Sequence, residues 1–111
     1  MAVVSVQVFA LTDEDTALTA DDQFTVSTHF TRALTTLTTT DANATEVVVI
    51  SHDVHPYETG AVIYLLGMAE DPETVTDVVA AHLDSAMTGA PDLFQGWHLM
   101  AGDSAVWCAD N

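Results

Sequence analysis

Apolar and polar positions alternate through the first ten residues of the chain. Val4, Val6 and Val8 form one set, and Ser5 and Gln7 belong to the other. This period of two predicts a strand over residues 2–10, with Gln7 pointing away from the densest packing.

A helical period replaces the alternation further along. Positions at three- and four-residue spacing form a stripe of Phe24, Ser27, Phe30, Leu34 and Leu37. The spacing predicts an amphipathic helix over 20–38. Thr19 is the expected N-cap, with Asp21 and Asp22 in the first turn, where the helix dipole favours carboxylates. Threonines over 35–40 are mediocre helix formers, so we expect the helix to fray there.

Two apolar runs follow, separated by a polar stretch. Residues 46–51 are apolar on both faces and predict a central strand, and residues 61–68 predict a third strand. The stretch 52–60 contains Pro56 and Gly60, which favours a hairpin connection.

The second helix has the clearest beginning in the chain. Asp71 is the expected N-cap and Pro72 the first helical residue, and Gly89 marks the expected end. Its apolar stripe is Val75, Val78, Val79, His82, Leu83 and Met87.

The tail predicts a final hairpin. Two apolar runs, 96–101 and 104–108, flank Gly102 and Asp103, a pair that suits a two-residue turn. The order is then β-α-β-β-α-β-β. It predicts one α+β domain over 1–111, with two helices on one face of an antiparallel sheet of four or five strands. The first four strands and two helices have the order of a ferredoxin-like split βαβ unit.

The charge of the chain says most about which partners it can bind. The chain of 111 residues has 17 acidic residues but only one basic residue, Arg32, for a formal charge of −16. Such a chain cannot neutralise phosphates, which excludes ordinary nucleic-acid binding. It also argues against an anionic membrane surface as partner. The N-terminus lacks the basic region of a signal peptide, so we expect a soluble, cytoplasmic protein.

Residues capable of chemistry are sparse. His52, Asp53 and His55 are of the types that ligate divalent metals, but at a hairpin tip we expect them to spread rather than converge. His82 and His98 are expected to be hydrogen-bonded in the interior, and His29 to lie on the surface. The single cysteine, Cys108, is expected to be a small core residue. No nucleophile elbow or phosphate-binding loop is present, so we predict no enzymatic activity, no cofactor and no metal.

The acidic residues gather in three groups, which are the predicted partner-binding residues. One precedes and begins the first helix, one follows the outer side of the second helix, and the third is a pair in the hairpin connection. The groups are Asp13, Glu14, Asp15, Asp21 and Asp22, then Glu70, Glu73, Asp77 and Asp84, then Asp53 and Glu58.

Three interpretations of this charge remain open. The carboxylates could simply solvate the surface, although that does not account for the missing basic residues. They could adapt a small binding or structural protein to molar salt. They could also imitate a phosphate backbone and occupy the DNA-binding groove of a basic protein or enzyme. Complementary charge would then speed the encounter of the two proteins.

In size, charge and predicted architecture the chain resembles phage-borne inhibitors of DNA-handling enzymes, nearest the uracil-DNA glycosylase inhibitor proteins. The resemblance implies carboxylates that replace phosphates and an apolar cleft that holds an enzyme side chain. Met68, Met87 and Met100 are candidate linings of such a cleft. It also implies action in a host cytoplasm and evasion of host defence. A homodimer is a further option, because Trp97 and Trp107 suit either a core or a dimer face.

Overall fold

The protein folds as two helices on one face of a four-stranded antiparallel sheet. The structure, a computed structural model, describes residues 2–13, 17–39 and 47–109. The elements are β1 (Ala2–Thr12), α1 (Ala20–Thr39), β2 (Val48–Tyr57), β3 (Gly60–Ala69), α2 (Pro72–Thr88) and β4 (Trp97–Ala109). The strand order β2-β3-β1-β4 confirms the α+β class and the split βαβ arrangement.

Alternation along β1 decides which side of the sheet is buried. Val4, Val6 and Val8 are buried beneath the helices, whereas Gln7 points to the helix-free side, as predicted. β3 contributes Ile63 and Leu65 to the same buried layer. Because side chains on a strand alternate between faces, the sheet has one face inside the core and a second face left open.

Helix α1 begins as the sequence predicts. The Thr19 hydroxyl accepts a hydrogen bond from the Asp22 amide (3.1 Å), and the Asp22 carboxylate accepts one from the Thr19 amide (3.4 Å). This reciprocal pair satisfies amides that have no partner inside the helix. The predicted range of 20–38 is confirmed to within one residue, since α1 ends at Thr39. The hydroxyls of Thr35 and Thr36 donate to carbonyls four residues earlier.

The buried stripe of α1 differs from the prediction at its beginning. Phe30, Leu34 and Leu37 are buried as expected, but Phe24 is 73% exposed and Val26 is buried instead. The helix is therefore rotated slightly from the stripe predicted from the sequence. Phe30 packs against Phe94, with the two rings tilted and their centres 5.0 Å apart.

Helix α2 matches its prediction closely. The Asp71 side chain accepts from the Glu73 amide at 3.1 Å, and Pro72 is the first helical residue. Val75, Val79, Leu83 and Met87 are buried. Gly89 ends the helix with a right-handed φ of −72°, and its amide donates to carbonyls of the last turn.

Two histidines link the helices reciprocally. His29 of α1 donates through Nε2 to the Ala86 carbonyl of α2, and His82 of α2 donates to the Ala33 carbonyl of α1, both at 2.8 Å. His82 is hydrogen-bonded as expected. His29 is half-buried rather than on the surface, because α1 packs this face against α2 and Phe94.

The predicted connection over 52–60 is wrong. Residues 52–57 belong to β2, and the turn to β3 consists only of Glu58 and Thr59. The predicted central position of this strand is also wrong, since β2 lies at an edge and β1 and β3 are central. Pro56 is compatible with this place because an edge strand needs fewer ladder amides. The predicted beginning of the strand at residue 46 lies outside the described residues.

The predicted final hairpin is also wrong. Residues 97–109 form one strand that pairs with β1 along its whole length. Gly102 and Asp103 together face Gln7, so they form a β-bulge rather than a turn. A second irregularity in this ladder places Trp107 between the pairs Val4–Val106 and Val3–Cys108.

Candidate functional site

All described carboxylates are on the surface. Every described Asp and Glu is exposed, and no polar or charged residue is buried in the described part of the chain. This placement is what a highly charged chain requires, because an unpaired carboxylate in the core would cost several kcal/mol.

One group of predicted site residues does gather at one end of the sheet. The amide of Leu18 donates to the Glu58 carbonyl at 2.9 Å, which joins the beginning of α1 to the β2–β3 turn. Asp13, Asp21, Asp22 and Glu58 therefore lie at this end. Glu14 and Asp15 lie outside the described residues.

A second group follows α2. Glu73, Asp77 and Asp84 recur at four and seven residues on the exposed side of the helix, over about 16 Å at the usual helical rise. Glu70 precedes the helix, at the end of the sheet opposite to Asp13 and Glu58. We call Asp21, Asp22, Glu73, Asp77 and Asp84 the acidic helical layer.

The predicted pair of Asp53 and Glu58 is separated. Asp53 lies within β2 on the helix-free face, opposite Tyr64, and Glu58 lies in the turn five residues later. This correction follows from the extension of β2, because five strand residues span about 17 Å.

The histidine-rich segment does not converge on one point. His55 Nε2 lies 2.9 Å from Asp53 Oδ2 on the helix-free face. His52 pairs with the buried Leu65, which directs it to the other face. Among the described residues, no three His, Cys, Asp or Glu side chains are close enough together to hold a metal ion. His98 is exposed, not interior, with Nδ1 3.5 Å from Asp13 Oδ1.

The helix-free face of the sheet contains a groove of about 750 Å³. Apolar side chains of Val3, Leu66 and Trp107 line one part of it. None of the three methionines suggested as cleft linings lines the groove: Met87 is buried in the core, and Met68 and Met100 lie on the helix-free face outside it.

A chain of polar contacts crosses the centre of this face. Gln7 donates through Nε2 to the Tyr64 hydroxyl (3.2 Å) and accepts from the Asp103 amide (3.0 Å). The Tyr64 ring meets the His55 ring edge-on at 5.6 Å. Gln7 thus joins β3 to the bulge of β4, and it fixes the centre of the face.

Sequence reasoning did not find this groove. Its lining comes from the outward positions of four strands, and a hairpin in the tail would hold residues 104–108 away from β1, where the structure pairs them. The available signal was the apolar character of Val3 and Leu66, since outward positions of a sheet with one solvated face are usually polar.

No described helix is both long and apolar enough to cross a membrane. A scan of protein-family models, a search of curated proteins and a search of solved structures each found no match to this chain.

Proposed function

We propose that the protein is a non-catalytic inhibitor whose acidic helical layer occupies the DNA-binding groove of a basic, DNA-handling protein in the cytoplasm. The observation that carries this proposal is the exposed row Glu73, Asp77 and Asp84 on α2, a helix without any basic residue. A lysine or arginine within that row would repel a groove built to hold phosphates.

The spacing of the carboxylates determines how such binding would work. The row places three carboxylates in about 16 Å, whereas one DNA strand carries about five phosphates in that length. The row alone therefore offers fewer charges than DNA. Asp21 and Asp22, at the beginning of the neighbouring helix, would supply additional contacts.

A second candidate is a binding or structural protein adapted to molar salt. A specific observation favours it: carboxylates lie at both ends of the sheet, on the helices and on the helix-free face, rather than on one surface alone. Repulsion among them is long-ranged at low salt. The Debye length is about 10 Å at 0.1 M salt and about 3 Å at 1 M, so molar salt removes most of this repulsion.

Thermal unfolding by circular dichroism at about 50 mM and about 2 M KCl separates the two candidates. A cooperative transition well above room temperature at 50 mM KCl is expected for the inhibitor, which must bind basic proteins where charge is weakly screened. A chain that is unfolded at 50 mM and folded at 2 M KCl contradicts the inhibitor and supports the salt-adapted protein.

Displacement of bacterial DNA-binding proteins, including purified uracil-DNA glycosylase, from DNA-cellulose tests the inhibitor directly. The protein is expected to release at least one of them at 50 mM KCl. The D21N/D22N/E73Q variant is expected to release less, because these exposed carboxylates would contact the partner. The control D103N removes a single carboxylate on the opposite face and should retain activity. Polyglutamate of equal total charge controls for nonspecific release. If the protein releases no more DNA-binding protein than polyglutamate does, the proposal is contradicted.

A further inference from the structure

The helix-free face of the sheet differs from the rest of the surface in both polarity and charge. Trp107 is 70% exposed and Met100 is 50% exposed, and both belong to β4. Val3, Leu66 and Met68 on the neighbouring strands point the same way and are half-buried. A sheet face that meets water is normally polar at these outward positions.

Carboxylates are scarce on this face, although the chain has a charge of −16. Among the described strand residues only Asp53 and Asp103 are acidic, and Asp53 contacts His55 at 2.9 Å. Two copies of the chain repel each other strongly when their helical layers approach. Contact through the acid-poor face keeps most of the charge on the outside of the pair.

The face also has the size that a stable pair requires. Four strands at about 4.8 Å spacing and about ten residues in length give a flat area of about 600 Å², and side-chain relief increases the accessible area above that. A standard protein interface buries about 800 Å² per partner. The groove supplies the concave part, and the protruding Trp107 supplies an anchor of the type that dominates interface energetics.

We propose that the helix-free sheet face is the interface with a second copy of this chain. The two sheets then meet face to face about a two-fold axis, so that each residue pair occurs twice. The apolar wall of the groove, formed by Val3, Leu66 and Trp107, is covered by the same face of the second copy. This association uses the surface opposite to the acidic helical layer, so it is independent of the inhibitor proposal.

Sedimentation equilibrium of the full chain in about 2 M KCl, from about 1 to 200 μM, tests this interface. The expected species is twice the chain mass of 11.8 kDa. W107S is expected to raise the dimer dissociation constant at least tenfold, as truncation of a large aromatic anchor does. M100D should weaken the dimer as well, by placing a charge on the face.

The matched control is F24S, because Phe24 is 73% exposed on α1, away from the sheet face. The dimer dissociation constant of F24S should equal that of the wild type. All variants should retain the circular dichroism spectrum of the folded chain. A monomer at 200 μM overturns the proposal. A dimer that W107S and M100D leave unchanged overturns it too, since its interface then lies elsewhere. A small molecule retained by a monomer in native mass spectrometry would assign the groove to that ligand instead.

Discussion

Gly60 begins β3 directly after the two-residue turn and lies against the central strand β1. It pairs with Leu11 on one side and with Tyr57 on the other. A Cβ atom added there would collide with the Ala10 carbonyl oxygen and lie 3.1 Å from the Ala10 carbonyl carbon. Both obstacles are backbone atoms of a paired strand, so they cannot rotate aside as a flexible side chain would.

The G60A variant should therefore be strongly destabilised. Overpacking a well-packed site costs about 1 to 3 kcal/mol, and displacement of β1 removes about one further kcal/mol of backbone hydrogen bonding. The expected loss is about 2 to 4 kcal/mol. With an unfolding entropy of about 2.1 cal/mol/K per residue, a chain of 111 residues then melts about 9 to 17 °C lower.

Two other glycines provide matched controls. Gly96 has a φ of 79°, but no atom lies within 4 Å of an added Cβ. G96A should therefore lower the free energy of unfolding only by the cost of holding alanine in the left-handed conformation, about 1 to 2 kcal/mol. Gly89 has a φ of −72° and a nearest contact of 3.4 Å, so G89A should change stability by less than about 1 kcal/mol.

The assay is thermal unfolding by circular dichroism in about 2 M KCl, where charge repulsion is screened equally for all variants. The expected order of melting temperature is G89A highest, then G96A, then G60A. A G60A protein that melts within about 4 °C of the wild type would refute the steric argument. Equal losses in G60A and G96A would show that close approach of β1 is not the cause.

The remaining predictions concern the helices, and urea denaturation in 2 M KCl measures all of them. F30A should cost about 3 to 5 kcal/mol because Phe30 is fully buried, whereas F24A should stay within about 0.5 kcal/mol; equal costs would contradict the placement of α1. D71A should cost about 1 kcal/mol through loss of the N-cap, and D77A, which removes an exposed carboxylate without a cap, should cost nothing. H82A should cost about 1 kcal/mol through its bond to α1, and a neutral result would show that this bond does not stabilise the fold.

Local chemistry explains why α2 was predictable. Asp71 as N-cap, Pro72 at the first helical position and an apolar stripe every three or four residues all act within a few residues of each other. Their effect does not depend on which strand the helix packs against, so the sequence alone was sufficient for the beginning and the buried side of this helix.

The tail could not be predicted in the same way. Gly102 and Asp103 suit a tight turn when only residues 96–108 are considered. The long strand β1 instead offers pairing along the whole tail, and Gln7 accepts the Asp103 amide at 3.0 Å. Long-range pairing with β1 therefore determines that Gly102 and Asp103 form a bulge rather than a turn. The groove depends on that pairing, because Asp103, Ser104 and Trp107 join its lining when β4 runs beside β1 along its whole length.

The bulges also affect how copies of this sheet can meet at their sides. An outer strand with a regular row of free amides and carbonyls recruits strands from other molecules, and irregularities in that strand prevent this. Here both outer strands are interrupted: β2 by Pro56 and by a register shift at Ile50, and β4 by the shifts at Gly102–Asp103 and Trp107. These irregularities oppose edge-to-edge pairing of sheets, which is the route to open-ended growth. A face-to-face pair of the kind proposed above would leave both interrupted edges outside its interface.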